Sequence, residues 1–170
     1  HNVGFIFVAD ENFGSNKKHA FAVADIMDKY NMLWSIMGVR CGSLSKEDLR
    51  YLQKKGLSSA SFGIESGSQT MLDIMEKKYT TQDIKDSLFS CIDLDLFVHT
   101  TGFMLGMPGE SMKTARESGK LMGEIAARFG VPVSYIFAHN DMSYAIPLVG
   151  TPLYEYGKQL GLIGQTVDEE

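Results

Sequence analysis

Five apolar runs of strand length, set among segments with helical periodicity, constrain this chain more than any other feature. The runs cover residues 3–9, 33–39, 59–64, 97–105 and 133–139. Helical text covers 16–30, the stretch from Ser45 to Gly56, 68–76, Thr80 or Thr81 to about Leu94, 111–129 and 151–160. Strands separated by helices pair in parallel through right-handed crossovers. Near-continuous apolar strands suit a sheet covered on both faces. The expected architecture is an α/β barrel, a partial barrel or an open doubly wound sheet, and periodicity alone does not choose among them.

The punctuation agrees with this division. Ser45-Lys46-Glu47-Asp48 places acids in the first turn of a helix that Gly56 stops. Pro108-Gly109 breaks the fourth strand, and Gly161 ends the last helix. A length of 170 residues with 44% apolar content is enough for one buried core. The net charge of -5 argues against nucleic acid, because phosphate binding needs clustered cations. Lys17-Lys18, Lys54-Lys55 and Lys77-Lys78 are scattered and read as solvated helix ends.

No apolar run reaches the ~18 residues of a membrane span, and no signal-peptide pattern appears. The chain opens from His1 directly onto a strand, which suggests a fragment lacking an N-terminal portion. Cys41 and Cys91 are too few for a disulfide framework and lack metal-ligand spacing. Buried, reduced thiols are the expectation, in keeping with a cytoplasmic location.

Polar and glycine residues gather after each strand. They are Asp10-Glu11-Asn12, Arg40, Glu65-Ser66-Gly67-Ser68, Gly106-Met107-Pro108-Gly109-Glu110 and His139-Asn140-Asp141. Parallel α/β folds bind ligands at the carboxyl ends of their strands, so these clusters converge on one mouth. Glu65 leaves a buried strand and needs donors, which ribose hydroxyls or an ammonium would supply. The blander reading makes it an acid at the start of the next helix. Gly102 to Glu110 can form a flat wall for a ring, or simply a packed strand closed by a Pro-Gly turn. Arg40 can clamp a carboxylate or lie on the surface. His99 reads as a core residue and His19 as solvated. No nucleophile elbow or phosphate loop is present.

Taken together, Phe7-Val8-Ala9-Asp10-Glu11-Asn12-Phe13, Trp34 with Arg40, Gly63-Ile64-Glu65-Ser66-Gly67-Ser68-Gln69 and Gly102-Phe103-Met104-Leu105-Gly106-Met107-Pro108-Gly109-Glu110 resemble the radical S-adenosylmethionine superfamily. The nearest likeness is to members with an upstream cobalamin-binding domain, whose post-barrel segment Gly150-Thr151-Pro152-Leu153-Tyr154 also resembles.

The resemblance implies a partial (β/α)6 TIM-like barrel with outer helices, of which this chain holds about the second to sixth strands. It implies one domain over 1–170, truncated at its N-terminus, with barrel units in 1–140 and a post-barrel loop and helix in 141–170. Asp10 and Glu11 would lie near the amino group of S-adenosylmethionine, and Glu65 with Ser66 near its ribose or methionine end. Gly102, Met104 and Gly106 would form the wall under adenine, with backbone around Tyr135 to Phe137 as a further adenine contact. Arg40 would meet the methionine carboxylate or the substrate. The family's [4Fe–4S] cluster is held by a three-cysteine loop that this sequence lacks, so its ligands are expected outside the chain and the fragment alone is expected to be inactive. Intact, such an enzyme generates a 5′-deoxyadenosyl radical to act on a small-molecule substrate; members of this subgroup often carry out cobalamin-dependent methyl transfer, while others rearrange or cyclise. Two other readings stand beside it: a nucleoside- or partner-binding module that has lost the cluster, and an unrelated phosphate-binding barrel enzyme.

Overall fold

The computed structural model describes residues 3–135 and 142–164. Five parallel strands, β1 (Phe5–Val8), β2 (Leu33–Arg40), β3 (Leu57–Glu65), β4 (Phe97–Leu105) and β5 (Met142–Tyr144), pair in sequence order. Helices α1 (Lys17–Lys29), α2 (Lys46–Lys54), α3 (Gln69–Ile74), α4 (Thr81–Asp93) and α5 (Met112–Phe129) fill the crossovers, and α6 (Pro152–Gln159) follows β5. The sheet is a half-barrel with its helices on the outer face. No helix among the described residues is long and apolar enough to cross a membrane.

The helices begin where local chemistry directs. Ser45 and Thr80 each accept from the backbone N–H three residues on, and Asp48 and Asp83 return the bond to the cap amide. Gly56 ends α2 at φ 90°, where a β-carbon would lie 2.4 Å from Met32 O. Only glycine meets both demands.

The core lies between the sheet and the helices. Trp34, Ile36, Phe62 and Ile64 meet Leu49, Leu88 and Ile125, all at 2% exposure or less. Trp34 stacks edge-on against Phe13 at 6.0 Å and donates its indole N–H to Lys55 O at 2.9 Å. Burying such side chains contributes roughly 1.5–3 kcal/mol each.

Register partners in neighbouring strands share a face, which defines the inner surface. Phe7, Ser35, Ser59 and Phe97 form one row across β1 to β4. Arg40, Gly63 and Gly102 form a further row nearer the carboxyl edge. Irregularities in register, between Ile36 and Val39 and between Gly63 and Glu65, re-aim the strand ends.

One element differs from the sequence reading. Of the expected strand over 133–139, the described residues 133–135 are helical, and Tyr135 N–H donates to Pro132 O at 2.9 Å. Pro132 fixes φ near its helical value and lacks an N–H, so it suits the first turn of a helix. The last strand among the described residues is Met142–Tyr144, in a stretch read as loop, and it pairs with Phe103–Leu105. Phe137 and His139-Asn140-Asp141 lie outside the described residues.

Candidate functional site

The carboxyl ends of β1, β2 and β3 enclose a cleft of about 500 Å³. Its walls include Glu11, Arg40, Gly63, Glu65, Lys77 and Tyr79. Three residues expected from sequence, Glu11, Arg40 and Glu65, therefore share one cavity.

Glu65 is placed by its backbone. It is the last residue of β3 and adopts φ 63°, a left-handed conformation that costs a non-glycine residue roughly 1–2 kcal/mol. The turn swings the side chain back over the inner face, where Oε1 lies 3.1 Å from the place a Gly63 β-carbon would occupy. Gly63 thereby makes room for the carboxylate. Its register partner Gly102 has nothing within 4 Å of a built β-carbon. Two adjacent glycines thus leave a bare floor beside a half-buried acid.

The loop between α3 and α4 closes one side. Lys77 Nζ lies 2.9 Å from Glu65 Oε1, with the two side chains 31% and 22% exposed. Arg40 donates from Nη2 to Lys77 O, and its guanidinium sits 5.7 Å from the Tyr79 ring centroid. The Tyr79 hydroxyl reaches Gly63 O at 3.0 Å and Ile64 O at 3.3 Å. Burial raises the Tyr79 pKa above its ordinary value, with the nearby Cys41 and Glu65 adding to it. Tyr79 is thus a neutral donor that pins β3 to the loop.

From sequence, Lys77 reads as part of a solvated helix end and Tyr79 carries no signal. Lys77 is in fact the charge partner of Glu65. The signal available was position: Lys77-Lys78-Tyr79 falls between a short helix and the Thr80 cap, where a loop folds back over a strand end.

Other expected residues are placed as follows. Asp10 is exposed, accepts from Asn12 N–H at 3.0 Å, and meets Gly38 through its carbonyl. A β-carbon on Gly38, at φ 74°, would lie 1.9 Å from Asp10 O, so this glycine lets the ends of β1 and β2 close up. Met104 is half-buried beside Ser143 in β5. Gly106 is exposed beyond β4, at φ 78°, and donates to Glu110 Oε2 at 2.7 Å. Tyr135 is exposed on its helical turn rather than on a strand.

Ser66 is buried and turned toward α5. Its hydroxyl lies 3.2 Å from Ser118 Oγ and accepts from Ser68 N–H at 3.1 Å. Gly67 N–H donates to Ser118 Oγ at 3.0 Å, and Ser68 Oγ donates to Glu117. The Ser66-Gly67-Ser68 stretch thus docks a helix, while Glu65 alone faces the cleft.

Cys41 and Cys91 are both buried and free. Burial pushes each thiol up to about 12, with Asp83 and other nearby groups adding to it at Cys41. No group of three or more His, Cys, Asp or Glu able to hold a metal occurs among the described residues.

Residues 2–122 match the profile of the Radical SAM superfamily. The chain belongs to that superfamily. It is 29% identical over 128 residues to the anaerobic magnesium-protoporphyrin IX monomethyl ester cyclase of Cereibacter sphaeroides, a match covering 71% of this chain and 20% of that protein. The chain therefore spans about a fifth of that relative's length. Its fold is similar to the cobalamin-dependent S-adenosylmethionine radical enzyme OxsB with aqua-cobalamin bound, at TM-score 0.73 and 14% identity, covering 99% of this chain and 30% of OxsB. It is also similar to the Escherichia coli radical SAM enzyme HemN, coproporphyrinogen III oxidase, at TM-score 0.59 and 12% identity, covering 78% of this chain and 29% of HemN.

Proposed function

We propose that these residues form the S-adenosylmethionine-binding wall of a radical enzyme. The observation that carries this reading is Glu65, held over the paired glycines Gly63 and Gly102 and beside Arg40 at the carboxyl edge of the sheet.

The cleft suits the cofactor's chemistry. Its volume of about 500 Å³ lies in the range that takes a small molecule. Glu65 supplies acceptor oxygens for ribose hydroxyls, and Glu11 an anionic group for the amino or sulfonium end. Gly63 and Gly102 leave a flat surface against which adenine can lie, continued by Met104. S-adenosylmethionine, when bound, supplies the adenosyl group from which the radical is made. The chain's share is to bind, orient and exclude competing reactions. Lys77 fixes the Glu65 carboxylate, and Tyr79 and Arg40 fix the loop that carries Lys77.

The iron–sulfur cluster does not fit the residues described. Cys41 and Cys91 are buried, protonated and on different elements, so its ligands come from elsewhere in the full-length protein. A cobalamin-binding domain upstream and a small-molecule substrate are the finer part of the proposal, supported by the likeness to OxsB and to the cyclase.

The test is product formation by the full-length protein. After cluster reconstitution and reduction, S-adenosylmethionine should yield 5′-deoxyadenosine. A reconstituted, reduced preparation that releases none would count against the reading.

A further inference from the structure

The Arg40–Tyr79 pair is a partition. On one side is the cleft with Glu65 and Lys77. On the other is a second pocket of about 350 Å³, bounded by Asn12, Ser15, Arg40, Ser43, Lys78 and Tyr79. Asn12, Arg40 and Tyr79 border both cavities. The loop between α3 and α4 straddles the partition and delivers one lysine to each side: Lys77 to the cleft and Lys78 to the second pocket.

The backbone enforces that delivery. Glu76 and Lys78 both adopt left-handed conformations, at φ 55° and φ 57°, on either side of Lys77. Glycine occupies such positions at no steric cost. A lysine held there is strained, and strain of this kind gathers at ligand-binding segments.

The pocket carries unspent positive charge. Lys77 is neutralised by Glu65, but among the described residues neither Lys78 nor Arg40 has a carboxylate within ion-pair distance. One acid, Asp83, also borders the pocket. Its Oδ2 is already engaged by the Thr80 N–H and hydroxyl, each at 2.7 Å, in the cap of α4. Ser43 Oγ is spent on Arg40 O at 2.8 Å. The Asn12 amide and Ser15 hydroxyl make no side-chain hydrogen bond among the described residues.

We propose that this second pocket binds the carboxylate of a small molecule other than S-adenosylmethionine, seated between Arg40 and Lys78. Arg40 offers a planar fork that matches a carboxylate, and Lys78 a mobile point charge. The Asp83 carboxylate in the wall disfavours a group that concentrates two charges, such as phosphate, over the single charge on one carboxylate end of a longer chain. At about 350 Å³ the pocket has room for a short carboxylate-bearing chain. The identity of the second molecule as the reactant rests on the proposed function; the carboxylate binding itself does not.

The test uses the full-length protein with Lys78→Gly, Lys78→Gln and Lys78→Arg. Glutarate is the probe, followed by saturation-transfer NMR, and S-adenosylmethionine and its decarboxylated form are titrated in parallel. Lys78→Gly removes charge and strain together, so it should raise the melting temperature while weakening glutarate about tenfold. Lys78→Gln should weaken glutarate to the same extent, and Lys78→Arg should restore it. S-adenosylmethionine affinity should stay within about twofold throughout. The proposal is overturned if wild-type protein binds no glutarate, if charge removal leaves glutarate binding unchanged, or if inorganic phosphate competes as well as glutarate. It is also overturned if the variants weaken S-adenosylmethionine but not its decarboxylated form, for the pocket then belongs to the methionine carboxylate. Failure of the proposed function itself is read separately, as absence of S-adenosylmethionine binding by the wild type.

Discussion

Lys77 Nζ lies 2.9 Å from Glu65 Oε1, and this contact joins the loop between α3 and α4 to the end of β3. Replacing Lys77 with Met leaves a half-buried carboxylate without its partner. Removing one partner of a charge-assisted bond costs about 1–2 kcal/mol here, since both groups keep some solvent. Lys77→Met should lower stability by that amount and weaken S-adenosylmethionine. Lys77→Arg should recover most of both, as read by chemical denaturation and calorimetric titration.

Glycines at three sites should respond differently to a methyl group. At Gly67 a β-carbon would meet Ser118 Cα at 2.6 Å and Leu121 Cβ at 2.9 Å, so Gly67→Ala should cost about 1–3 kcal/mol. Gly38→Ala should cost more, because the clash is with backbone and φ is 74°. Gly102→Ala meets nothing within 4 Å and should leave stability unchanged while weakening nucleoside binding. Thermal melts and binding isotherms for the three variants separate packing glycines from a floor glycine.

The two buried thiols set an alkaline limit. Their folded pKa values of about 12 lie above the ordinary value of 9.0, so the unfolded chain releases protons that the folded chain holds. The stabilisation is fully present below pH 9.0 and is lost as pH rises toward about 12. Across that window each thiol removes roughly 1.4 kcal/mol per pH unit. Urea denaturation over this range should show the decline, and Cys91→Ser should remove about half of the thiol-linked slope. An unaltered slope in that variant would contradict the assignment.

The inner face of the half-barrel exposes Phe5, Phe7, Leu33 and Phe97 at 48–60%. Such a surface with an open strand edge promotes association. The 170-residue chain by itself should sediment as oligomers or aggregate. A sharp, reversible melt of a monomer would be the contrary result.

Much of this fold was legible because strand and helix periods differ. The strand over Phe97–Leu105 coincides with its sequence reading, Ser45 caps its helix as expected, and of Thr80 and Thr81 it is Thr80 that caps α4. The helical turn at 133–135 was not legible, because a short apolar run after Pro132 carries no period that separates helix from strand. The acid at the mouth was legible in Glu65, since a carboxylate leaving a buried strand must find a partner. Its partner was not, because Lys77 reaches it through two left-handed residues that no local pattern announces. The contact of Ser66 was not legible for a related reason: its hydroxyl meets that of Ser118, 52 residues away in sequence.

Equilibrium binding of S-adenosylmethionine to full-length Glu65→Ala, measured against wild type, tests the central claim most directly. If Glu65 grips the ribose, the dissociation constant rises about tenfold or more, equivalent to about 1.4 kcal/mol, while the thermal transition stays cooperative. An affinity equal to wild type in a folded variant would remove Glu65 from the site.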